Sequence, residues 1–244
     1  MSTRPDDVLE LAPGLWSIGQ RMGGRVHAFL CDDGSGELTL VDTLFDSDGA
    51  RILRLIGRLG RKPEDLKHIV ITHGHRSHLG GMARLKDLSG ASVYAHQWEA
   101  DILEGDRKAQ PVSLIPGRPY RAYIPLQLGL ALGLGRHQPT KVDHYVAGGD
   151  RIGPLELIDA SGHSPGHLAF VWHDRRALIA GDAVATWPGD MPGWPAFNLN
   201  VRQHRIALRR LTEVEPQICG VGHGPPMPSN ARVRIRDLVD RMGR

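Results

Sequence analysis

The sequence lacks several features that would assign it to a common class. It has only two cysteines, Cys31 and Cys219, which lie far apart in apolar segments without CxxC spacing. This usage argues against a disulfide framework or a thiolate metal site and is typical of buried thiols in a reducing compartment. No apolar run reaches the ~20 residues that a membrane helix needs, and the N-terminal segment MSTRPDDVLELAPG is unlike a signal peptide. We therefore expect a cytoplasmic protein without membrane insertion.

The chain also lacks a strong charge of either sign. Thirty basic residues against 27 acidic ones leave a formal net charge of +3. The basic residues are mostly arginines, spread along the chain without a block of five or six like charges. Because nucleic-acid-binding proteins concentrate basic residues in a run or on one face, we expect no nucleic-acid partner.

Short strand patterns and amphipathic helix patterns alternate along the chain. The runs GLWSIG, RVHAFLCD and ELTLVD predict strands, and DSDGARILRLIGRLG predicts a helix. In the second half, three consecutive strands are predicted by GGDRIGPLELIDASGH, HLAFVWHD and RALIAGD, and helices by VRQHRIALRRLTEVE and SNARVRIRDLVDRMG. Two groups of strands, each followed by helices, predict an α/β fold of two packed sheets with helices outside. No linker divides the chain, so we expect one domain over residues 1–244.

The segment from about residue 108 to 142 interrupts this alternation. It is rich in proline and glycine and contains the apolar stretch YIPLQLGLALGLG. One interpretation is a lid that lines a pocket for an acyl chain. A second interpretation, with equal support, is that the segment is an insertion packed on the domain or a contact between subunits. The sequence leaves the oligomeric state open.

Histidine or aspartate stands directly after several predicted strands, at Asp42, His73, His163, Asp182 and His223. Strand ends hold loop residues rigidly, which suits a site. Taken singly, each is more commonly a hydrogen-bonded loop residue than a ligand. The cluster THGHRSHLGG, with His73, His75 and His78, changes that balance. Three imidazoles this close repel when charged and leave buried nitrogens unpaired when neutral, and a metal removes both problems.

Five segments, LVDT, THGHRSHLGG, SGHSPGH, AGD and GHG, occur in an order that resembles the metallo-β-lactamase superfamily, which includes glyoxalase II enzymes and acyl-homoserine lactonases. The resemblance implies a four-layer αββα sandwich with the site between the two sheets at one edge. The implied ligands of the first metal are His73, His75 and His163, and those of the second metal are His78 and His223. Asp182 is implied to bind both metals. Asp42 is implied to support the histidine loop without touching metal.

Ser77 departs from the family pattern, which has an aspartate ligand of the second metal at this position. Serine is shorter and neutral, so the second site loses a negative charge beside two dications. We therefore predict one tight metal site and a second site that is weak or empty. Ser77 lacks the GxSxG context of a nucleophile, and we expect its hydroxyl to hydrogen-bond the attacking water instead. Arg76 is expected to be an exposed surface residue; the alternative is a position at the mouth of the site, where it offers positive charge to an anionic substrate.

A metal held by imidazoles and a carboxylate activates water and polarises carbonyl groups. We predict a metal-dependent hydrolase whose small-molecule substrate is an ester, thioester, lactone or related carbonyl compound, with an acyl chain as a candidate part of that substrate. Zinc is the expected metal, and iron and manganese are alternatives. Two other hypotheses stay open: a non-catalytic descendant that binds metal or ligand, and a phosphodiesterase.

Overall fold

The computed structural model describes residues 8–108 and 136–242, together with residues 124, 128 and 132. In this part of the chain, two β-sheets form. The first contains seven strands, β1 (Val8–Ala12), β2 (Leu15–Gln20), β3 (Val26–Asp32), β4 (Leu38–Val41), β5 (Leu66–Val70), β6 (Ser92–Ala95) and β7 (His144–Tyr145). The second contains five, β8 (Arg151–Ile152), β9 (Leu155–Asp159), β10 (Leu168–Trp172), β11 (Ala177–Ile179) and β12 (Ile218–Gly220).

Both sheets are antiparallel at one side and parallel at the other. Strands β1 to β4 pair antiparallel, and β4 to β7 pair parallel. In the second sheet β8 to β11 pair antiparallel, and β11 pairs parallel with β12. The parallel pairs bring several carboxyl ends of strands to one edge, where the loops of α/β proteins commonly hold a site.

Alternation along the strands separates three layers of core. Phe29, Phe170 and Trp172 point between the two sheets. Their neighbours Leu30 and Val171 point to the outer faces of the first and second sheet, respectively. Because successive side chains of a strand point to opposite faces, one run of apolar residues fills both the inner and an outer layer.

Helices cover both outer faces. The described helices are α1 (Met22–Arg25), α2 (Ala50–Arg58), α3 (Arg76–Leu79), α4 (Met82–Ser89), α5 (Gln97–Leu103), α6 (Val201–Glu213) and α7 (Ala231–Met242). Helices α2, α4 and α5 pack on the first sheet through residues such as Ile52, Leu85 and Leu103. Helices α6 and α7 pack on the second sheet, with Leu208 and Leu238 among their buried residues. The predicted four-layer αββα sandwich is confirmed.

Three details differ from the strand predictions. The run GGDRIGPLELID forms two strands, β8 and β9, because Gly153 (φ 52°) and Pro154 make a tight turn between them. Strand β1 was not predicted, since it is an edge strand whose Leu9 and Glu10 are exposed and its pattern does not alternate. Strand β7 has only two residues, too few for a pattern.

Most of the predicted insertion at about 108–142 lies outside the described residues. Ile124, Leu128 and Leu132 are exposed, and Leu132 donates a backbone hydrogen bond to Leu128. The lid interpretation and the single domain over 1–244 stay predictions. Among the described residues, no helix is both long and apolar enough to cross a membrane.

Candidate metal centre

Five strand ends meet at one edge of the sandwich and carry the side chains singled out above. Asp42 follows β4, His73 follows β5, His163 follows β9, Asp182 follows β11 and His223 follows β12. Backbone hydrogen bonds join the two sheets here: Leu168 donates to the carbonyl of Thr72, and His27 donates to that of Gly222. The loops therefore start from a rigid frame.

The first cluster contains His73, His75, His163 and Asp182. Their facing ligand atoms, one from each side chain, lie within 4.8 Å of one another. Nδ1 of His75 lies 2.9 Å from Nε2 of His73 and 3.1 Å from Nε2 of His163. Oδ2 of Asp182 lies 3.7 Å from His73 Nε2 and 3.3 Å from His163 Nε2. Ligands of a tetrahedral zinc site are separated by about 3.4 Å, so these four atoms fit a metal.

The second cluster contains His78, His223 and the shared Asp182. Nε2 of His78 lies 3.4 Å from Oδ1 of Asp182, and Nε2 of His223 lies 3.3 Å from Oδ2. His78 Nε2 and Asp182 Oδ1 are buried and lack a hydrogen-bond partner among the described residues. A cation between them would satisfy both atoms, which is the pattern expected of ligands rather than of core polar groups.

The remaining ring nitrogens of four of these histidines face hydrogen-bond acceptors. The pairs are His73 Nδ1 with Thr72 Oγ1 (2.9 Å), His78 Nδ1 with Asp42 Oδ2 (2.8 Å), His163 Nδ1 with Asn198 Oδ1 (3.0 Å) and His223 Nδ1 with the carbonyl of Gly24 (2.9 Å). A ring that donates from Nδ1 keeps the Nε2 lone pair directed into the cluster. Metal-binding histidines are oriented in this way.

Asp42 holds the histidine loop at two points. Its Oδ1 accepts from the backbone N–H of Thr72 at 2.9 Å, and the Thr72 hydroxyl lies 2.9–3.0 Å from both carboxylate oxygens. Its Oδ2 accepts from His78. Asp42 itself is buried, with φ of 60°, a conformation that aspartate tolerates better than most residues. The structure thus places Asp42 behind the histidines.

Burial and charge set the protonation of the site. Desolvation by burial lowers the pKa of His73 well below its usual value, that of His75 to about 4 and that of His163 to about 3. Burial opposes ionisation of Asp182, but His223 and His78 outweigh it and hold the Asp182 pKa well below its usual range. The first cluster therefore offers three neutral imidazoles and one carboxylate at pH 7.

His78 differs from the other histidines because it lies between two carboxylates. Burial favours its neutral form, but Asp42 and Asp182 outweigh burial and raise the pKa of His78 to about 10. In the metal-free protein the two carboxylates favour a second proton on this ring, at the Nε2 atom whose lone pair would otherwise bind a metal. The position where it lies therefore suits a cation.

Close backbone approach explains two glycines of the site. A Cβ on Gly222 would lie 1.9 Å from Oδ1 of Asp182. A Cβ on Gly181, where φ is 52°, would lie 2.9 Å from Nε2 of His167. Any side chain at either position would displace the shared carboxylate or its support.

Ser77 lies on the single turn α3, between Arg76 and the buried His78. It is partly buried, and no described residue forms a hydrogen bond with its hydroxyl. The expectation for Arg76 was wrong. Its guanidinium is partly buried, lies over the Phe45 ring, and donates to the carbonyls of Phe45 and Arg136. A guanidinium with this many carbonyl acceptors is fixed in place, which sequence context alone does not reveal.

Sequence reasoning missed three supporting residues. Asn198 orients His163 from 35 positions away in the chain. The buried His167 accepts from the backbone N–H of Asp182 at 3.0 Å. The buried Glu99 accepts from two backbone amides of the ligand loops. Only His167, in the segment SGHSPGH, carried a signal that pointed to the site.

Seven other histidines lie outside both clusters: His27, His68, His96, His137, His144, His173 and His204. His204 is buried and donates to the carbonyl of Ala183. His96 caps helix α5 by accepting from the N–H of Trp98.

A family model described as the metallo-beta-lactamase superfamily matches residues 21–223. The chain belongs to this superfamily. The similar proteins include YobT of Bacillus subtilis, 27% identical over 88% of this chain and 90% of that protein, which is described as uncharacterized. The probable metallo-hydrolase YflN of the same organism is 28% identical over 72% of each chain. The hydroxyacylglutathione hydrolase GloC of Haemophilus influenzae is 26% identical over 72% of this chain and 77% of its own.

Solved structures show the same fold. The metallo-beta-lactamase family protein TTHA1429 of Thermus thermophilus superposes with a TM-score of 0.69 at 23% identity, over 96% of this chain and 81% of that one. TTHA1623 in a di-iron-bound form gives a TM-score of 0.62 at 22% identity, over 86% and 92%. Family membership and the named relatives support a hydrolase in this superfamily, and the chain has a His/Asp cluster that could bind a divalent metal.

Proposed function

We propose that the chain hydrolyses an ester, thioester or lactone at a metal centre held by His73, His75, His163 and Asp182. When bound, a divalent metal there supplies a Lewis acid that polarises a carbonyl group and activates water near neutral pH. The protein's part is to present neutral imidazoles and an ionised carboxylate in fixed orientations. Thr72 and Asn198 do this for His73 and His163, and His167 does it for the backbone of Asp182.

The convergence of four ligand atoms within 4.8 Å carries the proposal. A neutral ring carries one N–H, and His73 and His163 place theirs on Nδ1. Nδ1 of His75 can therefore donate to at most one of the two Nε2 atoms that it faces at 2.9 and 3.1 Å. The depressed pKa values of His75 and His163 keep both rings neutral at pH 7. A buried arrangement of lone pairs facing a carboxylate is costly unless a cation fills it.

We propose zinc as this metal, because three imidazoles and one carboxylate are a common zinc ligand set. Iron is the alternative that the di-iron form of TTHA1623 supports. The second site, with His78, His223 and a share of Asp182, offers fewer ligands. We propose that it binds metal weakly, because Ser77 supplies no carboxylate where the family pattern has one.

A small carbonyl substrate is the best-supported class. The name of GloC denotes hydrolysis of a thioester, and this chain aligns with 77% of GloC. We retain an acyl chain as a candidate substrate part and the cytoplasm as the location, the latter because both cysteines are buried and unpaired. The low net charge continues to favour no nucleic-acid partner.

A substrate panel tests the proposal. Purified protein, loaded with one equivalent of zinc, would be assayed on a thioester, an aryl ester, a lactone and a chromogenic β-lactam, each with and without chelator. We expect chelator-sensitive turnover of at least one carbonyl substrate, and loss of turnover in the His163→Ala variant. Equal hydrolysis with and without chelator, or none with any substrate at full zinc loading, would contradict the proposal.

The absence of a motif carboxylate at Ser77 favours one alternative, a metal- or ligand-binding protein without turnover. It predicts firm zinc binding, with saturable binding of a panel compound that is not consumed. Calorimetric titration of the zinc-loaded protein, followed by chromatography of the compound, separates the two functions. Recovery of the compound unchanged supports the alternative.

A further inference from the structure

Glu99 is a buried carboxylate in the first turn of helix α5, outside the motifs of the superfamily. Only 1% of the residue is exposed. Its Oε2 accepts from the backbone N–H of Gly74 at 2.9 Å, and its Oε1 accepts from the N–H of Gly166 at 2.8 Å. One carboxylate thus binds two separate segments of the chain.

Both segments carry ligands of the first cluster. Gly74 stands between His73 and His75, and Gly166 is three residues beyond His163. The first segment leaves the first sheet after β5, and the other leaves the second sheet after β9. Glu99 therefore spans the junction between the two halves of the sandwich at the cluster.

The two segments approach α5 so closely that neither has room for a side chain. A Cβ on Gly74 would lie 3.0 Å from Oε2 of Glu99 and 2.9 Å from Cδ1 of Ile102. A Cβ on Gly166 would lie 2.9 Å from Cγ of Glu99 and 2.7 Å from Nδ1 of His96. Tight packing makes the separation of the two loops depend on the length and chemistry of the side chain at position 99.

We infer that Glu99 is a positioning residue, which sets the distance between the His73–His75 loop and the His163 loop and thereby the metal affinity of the first cluster. An ionised carboxylate has an acceptor at both oxygens, whereas an amide has one acceptor and two donors. Glutamine at this position can satisfy one of the two glycine N–H groups only. The inference rests on the proposed metal centre and adds a residue that does not touch the metal.

The Glu99→Gln variant tests this inference, with Glu104→Gln as its matched control. Glu104 follows α5 and likewise accepts a backbone N–H, that of Val142 at 3.0 Å, away from the ligand loops. Zinc affinity would be measured by competition with a chromophoric chelator. Visible absorption of the Co²⁺-loaded proteins would report ligand geometry, and far-UV circular dichroism would report folding.

We expect Glu99→Gln to weaken zinc binding about 10- to 100-fold and to shift the Co²⁺ bands, as loss of a group that orients ligands does elsewhere. Glu104→Gln should stay within about 3-fold of the wild type. Wild-type affinity and an unchanged spectrum in folded Glu99→Gln would overturn the inference.

If the Glu99→Gln variant does not fold, Glu99→Asp replaces it in the same measurements. We expect an intermediate loss of zinc affinity, because the shorter carboxylate reaches only one of the two loops. Wild-type affinity in Glu99→Asp overturns the inference equally. Failure of the wild type to bind zinc would overturn the proposed metal centre and this inference together.

Discussion

Replacing Asp42 with asparagine should destabilise the metal-free protein by a predictable amount. The carboxylate serves Thr72 through Oδ1 at 2.9 Å and His78 through Oδ2 at 2.8 Å. Asparagine keeps one carbonyl oxygen, and its NH₂ group must face either the Thr72 N–H or the His78 Nδ1–H. In either orientation, one buried donor loses its acceptor.

The lost contact is a hydrogen bond to a charged group, worth about 1.5–3 kcal/mol. Asp42 and His78 are both nearly inaccessible to solvent, so water cannot replace the contact. We therefore expect the free energy of unfolding to fall by about 2–3 kcal/mol. For a chain of this size, each kcal/mol lowers the melting temperature by about 2–4 °C, so a decrease of roughly 5–10 °C should be seen.

The assay is thermal and urea unfolding of chelator-treated protein, because bound metal would add its own stabilisation. Asp46→Asn is a matched control, since Asp46 is partly exposed and pairs with Arg51 at 3.3 Å near the surface. The control should change stability by less than about 0.5 kcal/mol. A melting temperature of Asp42→Asn within 1 °C of the wild type would refute the assignment of Asp42 as the support of the histidine loop.

Three further predictions follow from the same site. Ser77→Asp should raise tightly bound metal from one to two equivalents by elemental analysis, and a wild type that already holds two firmly would contradict this. Gly222→Ala should destabilise the protein by about 1–3 kcal/mol and weaken zinc binding more than 10-fold, because its Cβ would lie 1.9 Å from an oxygen of Asp182; an unchanged zinc affinity would contradict it. Burial lowers the pKa of His163 to about 3 and that of His204 to about 4. As the pH falls through about 6.5, both histidines therefore become protonated in the unfolded chain but stay neutral in the folded chain. Chelator-treated protein should therefore lose about 1 kcal/mol of stability per histidine as pH falls from 7 to 5.5, and equal urea midpoints at the two pH values would contradict this.

The fold could be predicted because its local and global signals agree. Alternating runs such as RVHAFLCD and HLAFVWHD became β3 and β10, whose residues point in turn to the inner and an outer core. The turn that separates β8 from β9 was present in the sequence as Gly153 and Pro154. The prediction nonetheless treated the run as one strand, since apolar residues continue on both sides of the turn. Strand β1 was invisible because an exposed edge strand does not need an apolar pattern.

The candidate ligands could be located in sequence, but their supports could not. Histidine and aspartate directly after a predicted strand stand out in the sequence. The structure brings all six candidate ligands together in the two clusters. Asn198 and Glu99 are ordinary polar residues in a loop and a helix. Their role comes from where the folded chain places them: Asn198 contacts a ligand ring, and Glu99 contacts the backbone of the ligand loops. No local sequence pattern encodes such a position.

The effect of Ser77 should fall on one cluster, because the two clusters draw on different parts of the chain. The first takes its nitrogen ligands from the loops after β5 and β9 and none from α3. The second takes His78 from α3 itself, beside Ser77, and shares its carboxylate with the first. Oδ2 of Asp182 lies 3.3 Å from both His163 and His223, so a single negative charge must serve two cations. With three neutral nitrogens already facing the first cluster, we expect the shared charge to complete that centre, which would leave the second cluster with one carboxylate fewer than the family pattern. The ligand inventory therefore predicts a difference in metal affinity between the two clusters, whatever the substrate.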